Sequence, residues 1–265
     1  MKKFIHTVTV TGADDSVTIN ELRDIQDRYP FVEFGILLSV NQIGLPLHPS
    51  AHWLDALIDT GDGLHLSGHL CGRYARRFLT GMLDFDQEFS PVFCRRFTRW
   101  QINTRGMRRD WSPEPLMEAV NSLFNRGQEV IFQYDGVNTQ MVRFIAERSR
   151  GNVSALFDFS HGTGLLPSSW PSTELPISVG FAGGLSPDNL DHQIEAIYEA
   201  AKGQPVWIDA QARLRSNNNV QFNLELVAKF LETAKPYVAE EAALSQRHKL
   251  MKAIYDGTKK GENHA

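Results

Sequence analysis

Two stretches of this chain place a carboxylate, glycines and small polar residues at the ends of apolar runs. The first reads Ala155-Leu156-Phe157-Asp158-Phe159-Ser160-His161-Gly162-Thr163-Gly164, the second Val179-Gly180-Phe181-Ala182-Gly183-Gly184-Leu185-Ser186-Pro187-Asp188-Asn189. Apolar runs of this length are typical of parallel strands buried on both faces. Asp158 then stands at the mouth of a sheet, where partial desolvation can keep a carboxyl protonated and make it a general acid. The competing reading of Asp158 is a helix cap or the ion partner of an arginine. Gly183 and Gly184 leave backbone N–H groups bare to an approaching anion, and serve equally as a tight turn that needs positive φ. Ser186 as N-cap and Pro187 at the first helical position predict a helix opening there, its positive end adding to an anion site. Arg213 and Arg215 could complete that site with charge-assisted bonds to a phosphate or carboxylate, or stand in solvent as loop arginines.

His65, His69 and His161 are the histidines nearest to strand ends. With Asp158 or Asp209 they could form a divalent-metal site, but no two have the tight spacing of a strong metal motif, and no metal is assigned. His69 or His161 is a candidate base instead. Cys71 is either a reactive thiol or a buried inert one, and with Cys94 as the only other cysteine there is no disulfide framework. Arg105, Arg108 and Arg109 could grip an acidic substrate or form a solvated charge cluster. No lysine lies between Phe4 and Ala201. Schiff-base and pyridoxal chemistry need one at the reacting carbon, so that class is largely excluded and no cofactor is assigned.

Such residues act together only if the fold gathers strand ends. The length, 265 residues, is close to the ~250 of a (β/α)8 barrel. A net charge of −4 argues against nucleic acid as the main partner. No apolar run reaches the ~18 residues of a membrane span, and no apolar segment follows Met1-Lys2-Lys3-Phe4, so a cytoplasmic protein is expected.

Strands are expected at residues 4–11, 31–38, 64–70, 99–103, 129–134, 153–158, 177–182 and 206–209. Helices are expected between them. Thr18-Ile19-Asn20-Glu21 has the capping-box spacing, Trp53, Leu54, Leu57 and Ile58 lead to Gly61, and Ser112-Pro113 opens a helix that Gly127 ends. Residues 82–98 read as an insertion or a short extra helix. A last helix is expected over 240–255. The fold class is therefore α/β, a (β/α)8 TIM barrel with an extra C-terminal helix, in one domain over 1–256 with a polar, flexible tail from 257 to 265. The runner-up, an open doubly wound sheet, needs a phosphate-binding loop after strand one, and Gly12-Ala13-Asp14-Asp15 is a poor one.

Over residues 153–210 the chain resembles phosphoribosylanthranilate isomerase. Leu156-Phe157-Asp158 and His161-Gly162-Thr163-Gly164 look like the family's Leu-Leu-Asp and Gly-Gly-Thr-Gly. Ala182-Gly183-Gly184-Leu185-Ser186-Pro187-Asp188-Asn189 looks like its Ala-Gly-Gly-Leu-Thr-Pro-Glu-Asn, and Trp207-Ile208-Asp209 falls where the family has Val-Asp. The resemblance implies a barrel, an acid at Asp158, Asp209 and the two glycines near a phosphate, and site positions at Thr11 and Asn103. Thr11 stands where the family carries its cysteine base, and Gln101-Ile102-Asn103-Thr104 replaces its Gln-Leu-His-Gly. Ala210-Gln211-Ala212-Arg213-Leu214 replaces half of its phosphate cradle. A threonine hydroxyl is no base near neutral pH, so the family's own reaction is not expected.

The expected function is an isomerase-like enzyme acting by general acid/base catalysis on a small phosphorylated or carboxylated sugar derivative. The catalytic set is Asp158, His161, Asn103 and Thr11, and the anion-binding set is Gly183, Gly184, Asp209 and Arg213. The alternatives are a metal-dependent sugar-phosphate epimerase or lyase, or a non-catalytic relative binding a small anion or a protein partner. The expected partner is a small anionic substrate, with no nucleic acid and no membrane, and a homodimer is left open.

Overall fold

Runs of Val, Ile, Leu and Phe bounded by Gly, Pro and Asn become eight strands in the computed structural model, which describes residues 2–104, 107, 111–158, 160, 163–172 and 175–239. They are β1 (Ile5–Thr11), β2 (Val32–Leu38), β3 (Leu66–Leu70), β4 (Arg99–Ile102), β5 (Glu129–Tyr134), β6 (Val153–Asp158), β7 (Ser178–Ala182) and β8 (Val206–Ala210). Each pairs in parallel with the next, and β8 pairs with β1, Thr9 opposite Asp209, so the sheet closes into a (β/α)8 barrel. The open-sheet alternative is excluded.

The helices are α1 (Ile19–Arg28), α2 (Ala51–Thr60), α3 (Arg73–Leu79), α4 (Phe85–Glu88), α5 (Pro91–Arg95), α6 (Pro113–Asn125), α7 (Thr139–Arg148), α8 (Leu190–Ala200) and α9 (Leu224–Ala234). Thr18 and Glu21 form the expected capping box at α1, and Gly61 ends α2. Between β6 and β7 no helix occurs among the described residues. The helix expected over 240–255 and the tail from 257 lie outside the described residues. No helix among the described residues is long and apolar enough to cross a membrane.

Two expectations are corrected. Residues 82–98 hold two short helices, α4 and α5, capped by Asp84 and Ser90. Phe85 and Phe93 of these helices, with Phe89 and Phe97 just after them, pack around Trp100 of β4, Phe97 and Phe85 with ring centres 4.7 and 4.8 Å from it. The helix after β7 starts at Leu190 with Asn189 as N-cap, three residues beyond Pro187. The Asn189 amide accepts from Ser186 N–H at 2.9 Å and donates to the Gly184 carbonyl at 2.9 Å, which ties 184–189 into a separate turn.

Strand residues alternate between two environments. Val8, Phe34, Trp100, Phe132 and Ile208 join the large apolar layer shared with the helices. The alternate residues fill the barrel, where Ile131, Leu156, Ala182 and Trp207 form a small apolar cluster of their own. The rest of that interior is polar. Arg99 donates to both oxygens of Glu33, at 2.8 and 2.6 Å, and to Thr9 Oγ1 at 3.3 Å, and lies over the Trp207 ring at 4.8 Å. Buried charges survive in such a place only when paired and hydrogen-bonded.

Candidate active site

Toward the C-terminal ends of the strands the interior opens into a cleft of about 420 Å³, the end at which barrels carry their chemistry. Asp158, Asn103, Asp209, Gly183, Gly184 and Arg213 all line it. Thr11 joins them through Asp209, to which its hydroxyl donates at 2.8 Å. His161 lies outside the described residues, as do Arg105, Arg108 and Arg109.

Asp209 comes from β8 and is buried, 6% exposed. Burial above all, then the charges of Asp158 and Glu33, push its carboxyl up to about 7, while the Thr11 hydrogen bond and Arg99 pull the other way. A carboxyl titrating there can give or take a proton at neutral pH. Asp158 ends β6 and accepts from Gln133 Nε2 at 2.8 Å, from Ser160 N–H at 3.0 Å and from the Ser160 hydroxyl at 2.7 Å. These donors converge on both of its oxygens, which serve as acceptors. The mouth thus pairs one carboxyl poised near neutrality with a second held as an acceptor.

Gly183 and Gly184 have φ of 119° and 67°, the left-handed region that favours glycine, so the tight turn is present. The loop after β6 presses on it: a Cβ on Gly184 would stand 2.5 Å from the Leu166 nitrogen. The turn and Arg213 border the same cleft, and Arg213 Nε donates to the Gly164 carbonyl at 3.3 Å. The N-terminus of α8 is not part of the cleft lining, so the expected contribution of a helix from Pro187 falls away with the later helix start.

Three further candidates change role. His65 precedes β3, at the opposite end of the barrel, with Nδ1 3.1 Å from the Val32 carbonyl. It cannot share a metal with the mouth residues, and among the described residues no three His, Cys, Asp or Glu are grouped to hold one. His69 does line the cleft, but burial, then the Arg99 charge, push its ring down to about 3, so it is uncharged and too weak a base for the role expected of it. Cys71 also lines the cleft, and burial pushes its thiol up to about 11, which leaves it protonated and unreactive. Arg215 is taken up elsewhere: it pairs with Asp14 at 2.6 Å and donates to the carbonyls of Gly12, Asn219 and Val220.

Gln101, Gln133 and Ser160 were not singled out from the sequence. Each is a polar residue at or just past an apolar strand, on the alternate positions that face the interior, and that alternation is the signal that marks them.

No protein-family model matches the chain, and no curated protein matches it in sequence. Two solved structures follow it over most of its length. One, described as "Native KDPGal structure", is 16% identical with a TM-score of 0.47, covering 87% of this chain and 95% of the other. The second, the YdjI aldolase from Escherichia coli K12, is 12% identical with a TM-score of 0.43, covering 91% of this chain and 90% of its own. Neither likeness bears on the chemistry of this mouth. What stands of the isomerase resemblance is the barrel.

Proposed function

We propose that the chain is an enzyme that moves a proton on the carbon next to a carbonyl in a small, anionic, sugar-derived molecule. Asp158 acts as base and Asp209 as acid. The observation that carries this is the buried Asp209 carboxyl, pushed up to about 7 and sharing the cleft with Asp158. Asp209 thereby moves from the anion cradle, where the motif resemblance puts it, to the chemistry, and the acid role moves from Asp158 to Asp209. The anion is received by the Gly183-Gly184 turn and Arg213, the cation in the cleft lining among the described residues. Isomerisation and aldol-type cleavage both pass through this proton transfer, so both reaction classes fall within the reading. Schiff-base variants do not, for want of a lysine before Lys202 other than Lys2 and Lys3.

The test is hydrogen exchange in D2O. Small aldoses, ketoses and sugar acids, with and without phosphate, are incubated with the protein and their C–H signals followed by NMR. At least one compound is expected to exchange the hydrogen next to its carbonyl. Asp158→Asn and Asp209→Asn should each slow that exchange by 100-fold or more, roughly the lower bound for losing a general acid or base. Exchange that is equally fast in both variants overturns the assignment.

A further inference from the structure

Beside the two carboxylates a run of side-chain amides ends on His69. Asn103 Nδ2 donates to Cys71 Sγ at 3.2 Å, which leaves Asn103 Oδ1 to accept from Gln101 Nε2 at 2.9 Å. The same Gln101 amide faces His69 Nδ1 at 3.4 Å. An NH2 group cannot accept, so Nδ1 is the acceptor and the ring hydrogen belongs on Nε2. That Nε2 is buried with no hydrogen-bond partner among the described residues, in a residue that is 1% exposed and lines the cleft. Gly35 makes its position possible. A Cβ there would stand 2.8 and 2.9 Å from His69 Cε1 and Nε2 and would collide with the Thr11 hydroxyl. The Nε2 edge of His69 and the Thr11–Asp209 pair therefore share the space over one glycine.

A second orphan of opposite sense adjoins the other carboxylate. Gln133 Nε2 is spent on Asp158, and Gln133 Oε1 is buried without a partner among the described residues. The cleft thus keeps an unused donor on the Asp209 side and an unused acceptor on the Asp158 side. Buried polar groups rarely stay unpaired, and a substrate bound in the cleft would supply both missing partners.

We infer that His69 is a further catalytic residue, an uncharged donor to the carbonyl oxygen of an α-hydroxycarbonyl substrate whose neighbouring hydroxyl donates to Gln133 Oε1. This rests on the acid/base reading above. Asp158 takes the proton from the hydroxyl-bearing carbon, that electron pair becomes the C=C bond of an enediol, and the carbonyl pair takes the proton of Asp209. Asp209 then recovers a proton from the other enediol hydroxyl while Asp158 returns its own to the former carbonyl carbon. No oxidant or co-reactant is consumed. His69 stabilises the oxygen throughout without changing its own protonation.

The probe is glycolohydroxamate, a planar enediolate mimic, added to the protein labelled with 15N in histidine and 13C in the Asp carboxyls. His69 is expected as the Nε2–H tautomer from pH 5 to 9, and saturating probe should move its Nε2 signal. His69→Phe should weaken probe binding at least tenfold, while His69→Gln, which keeps a donor, stays within threefold. Carboxyl signals of Asp158 and Asp209 that move while His69 stays fixed, or a His69 Nδ1–H tautomer, overturn the role of His69 and leave the acid/base reading standing. Signals that move at none of the three residues overturn both.

Discussion

Asp209 holds a proton at pH values where an aspartate in an unfolded chain has lost it. Its folded carboxyl titrates near 7 and its unfolded one near 3.8. Below the lower value both states are protonated and nothing is lost. As pH rises through the window, the unfolded chain releases a proton that the folded one keeps, and the folded state loses ground until about 7. Asp209→Asn, which still accepts from Thr11, escapes that loss. The variant should gain stability over the parent between pH 4 and pH 8, by up to about 4 kcal/mol at 1.36 kcal/mol per unit. Urea unfolding of both proteins at the two pH values measures it, and a constant difference would contradict the burial argument. The place of Asp158 at a strand end was legible because it closes an apolar run before glycines. The raised carboxyl of Asp209 was not, because what raises it is burial deep in the barrel, then Asp158 and Glu33, none of which adjoins it in sequence.

The loops after β1 and β2 are tied to one hairpin that follows β8. Arg215 and Ser216 (β9) pair with Gln221 and Phe222 (β10), and from there Arg215 reaches Gly12 and Asp14 in the loop after β1. Asp14 in turn accepts from the Leu47 N–H at 2.8 Å, which ties in the loop after β2. Burial alone would raise the Asp14 carboxyl, but hydrogen bonds from Ser16, Leu47 N–H and Arg215 hold it below the usual range. Its contribution is present above the unfolded value of 3.8 and is lost as pH falls below that. Arg215→Met leaves this carboxylate buried and unpaired, and should cost about 3–5 kcal/mol at pH 7. Chemical denaturation checks it, and the deficit should shrink at pH 3 if the unpaired charge is the cause. Local chemistry made most elements readable: Thr18 with Glu21 at α1, Ser112-Pro113 at α6. The four-residue spacing of Phe85, Phe89, Phe93 and Phe97 marks helical turns too, and what packs them is Trp100 on the strand that follows at once. The start of α8 was misread because the Asn189 side chain, bonded to the Ser186 N–H and the Gly184 carbonyl, closes 184–189 into a turn of its own before the helix begins.

Across the whole molecule, the barrel is packed with apolar side chains on its outer layer and with charge on its axis. Eight apolar runs and the chain length were enough to anticipate closure. The polar axis was harder to see, since Glu33 and Arg99 sit near strand starts, in positions that read equally well as solvent-facing. Arg99 links that axis to the mouth, because its charge holds Asp209 down. Arg99→Met should therefore raise the Asp209 midpoint above 7, read by carboxyl 13C shifts, and cost about 3–5 kcal/mol by stranding Glu33. An unmoved midpoint would separate the axis from the site. The Arg215–Asp14 pair joins residues 201 positions apart, and β8 closes on β1 over nearly the same distance. Contacts so far apart carry the closure entropy of a long loop, which slows a fold that depends on them. One edge of β1 pairs with β2, close by in the chain, but its other edge waits for β8. Until then Asp209 has no Thr11, no Arg99 and no dry surroundings, and it ionises as any exposed aspartate does. The raised Asp209 carboxyl is thus a property of the closed barrel, made by the contact that joins its two ends and absent from any arrangement that leaves them apart.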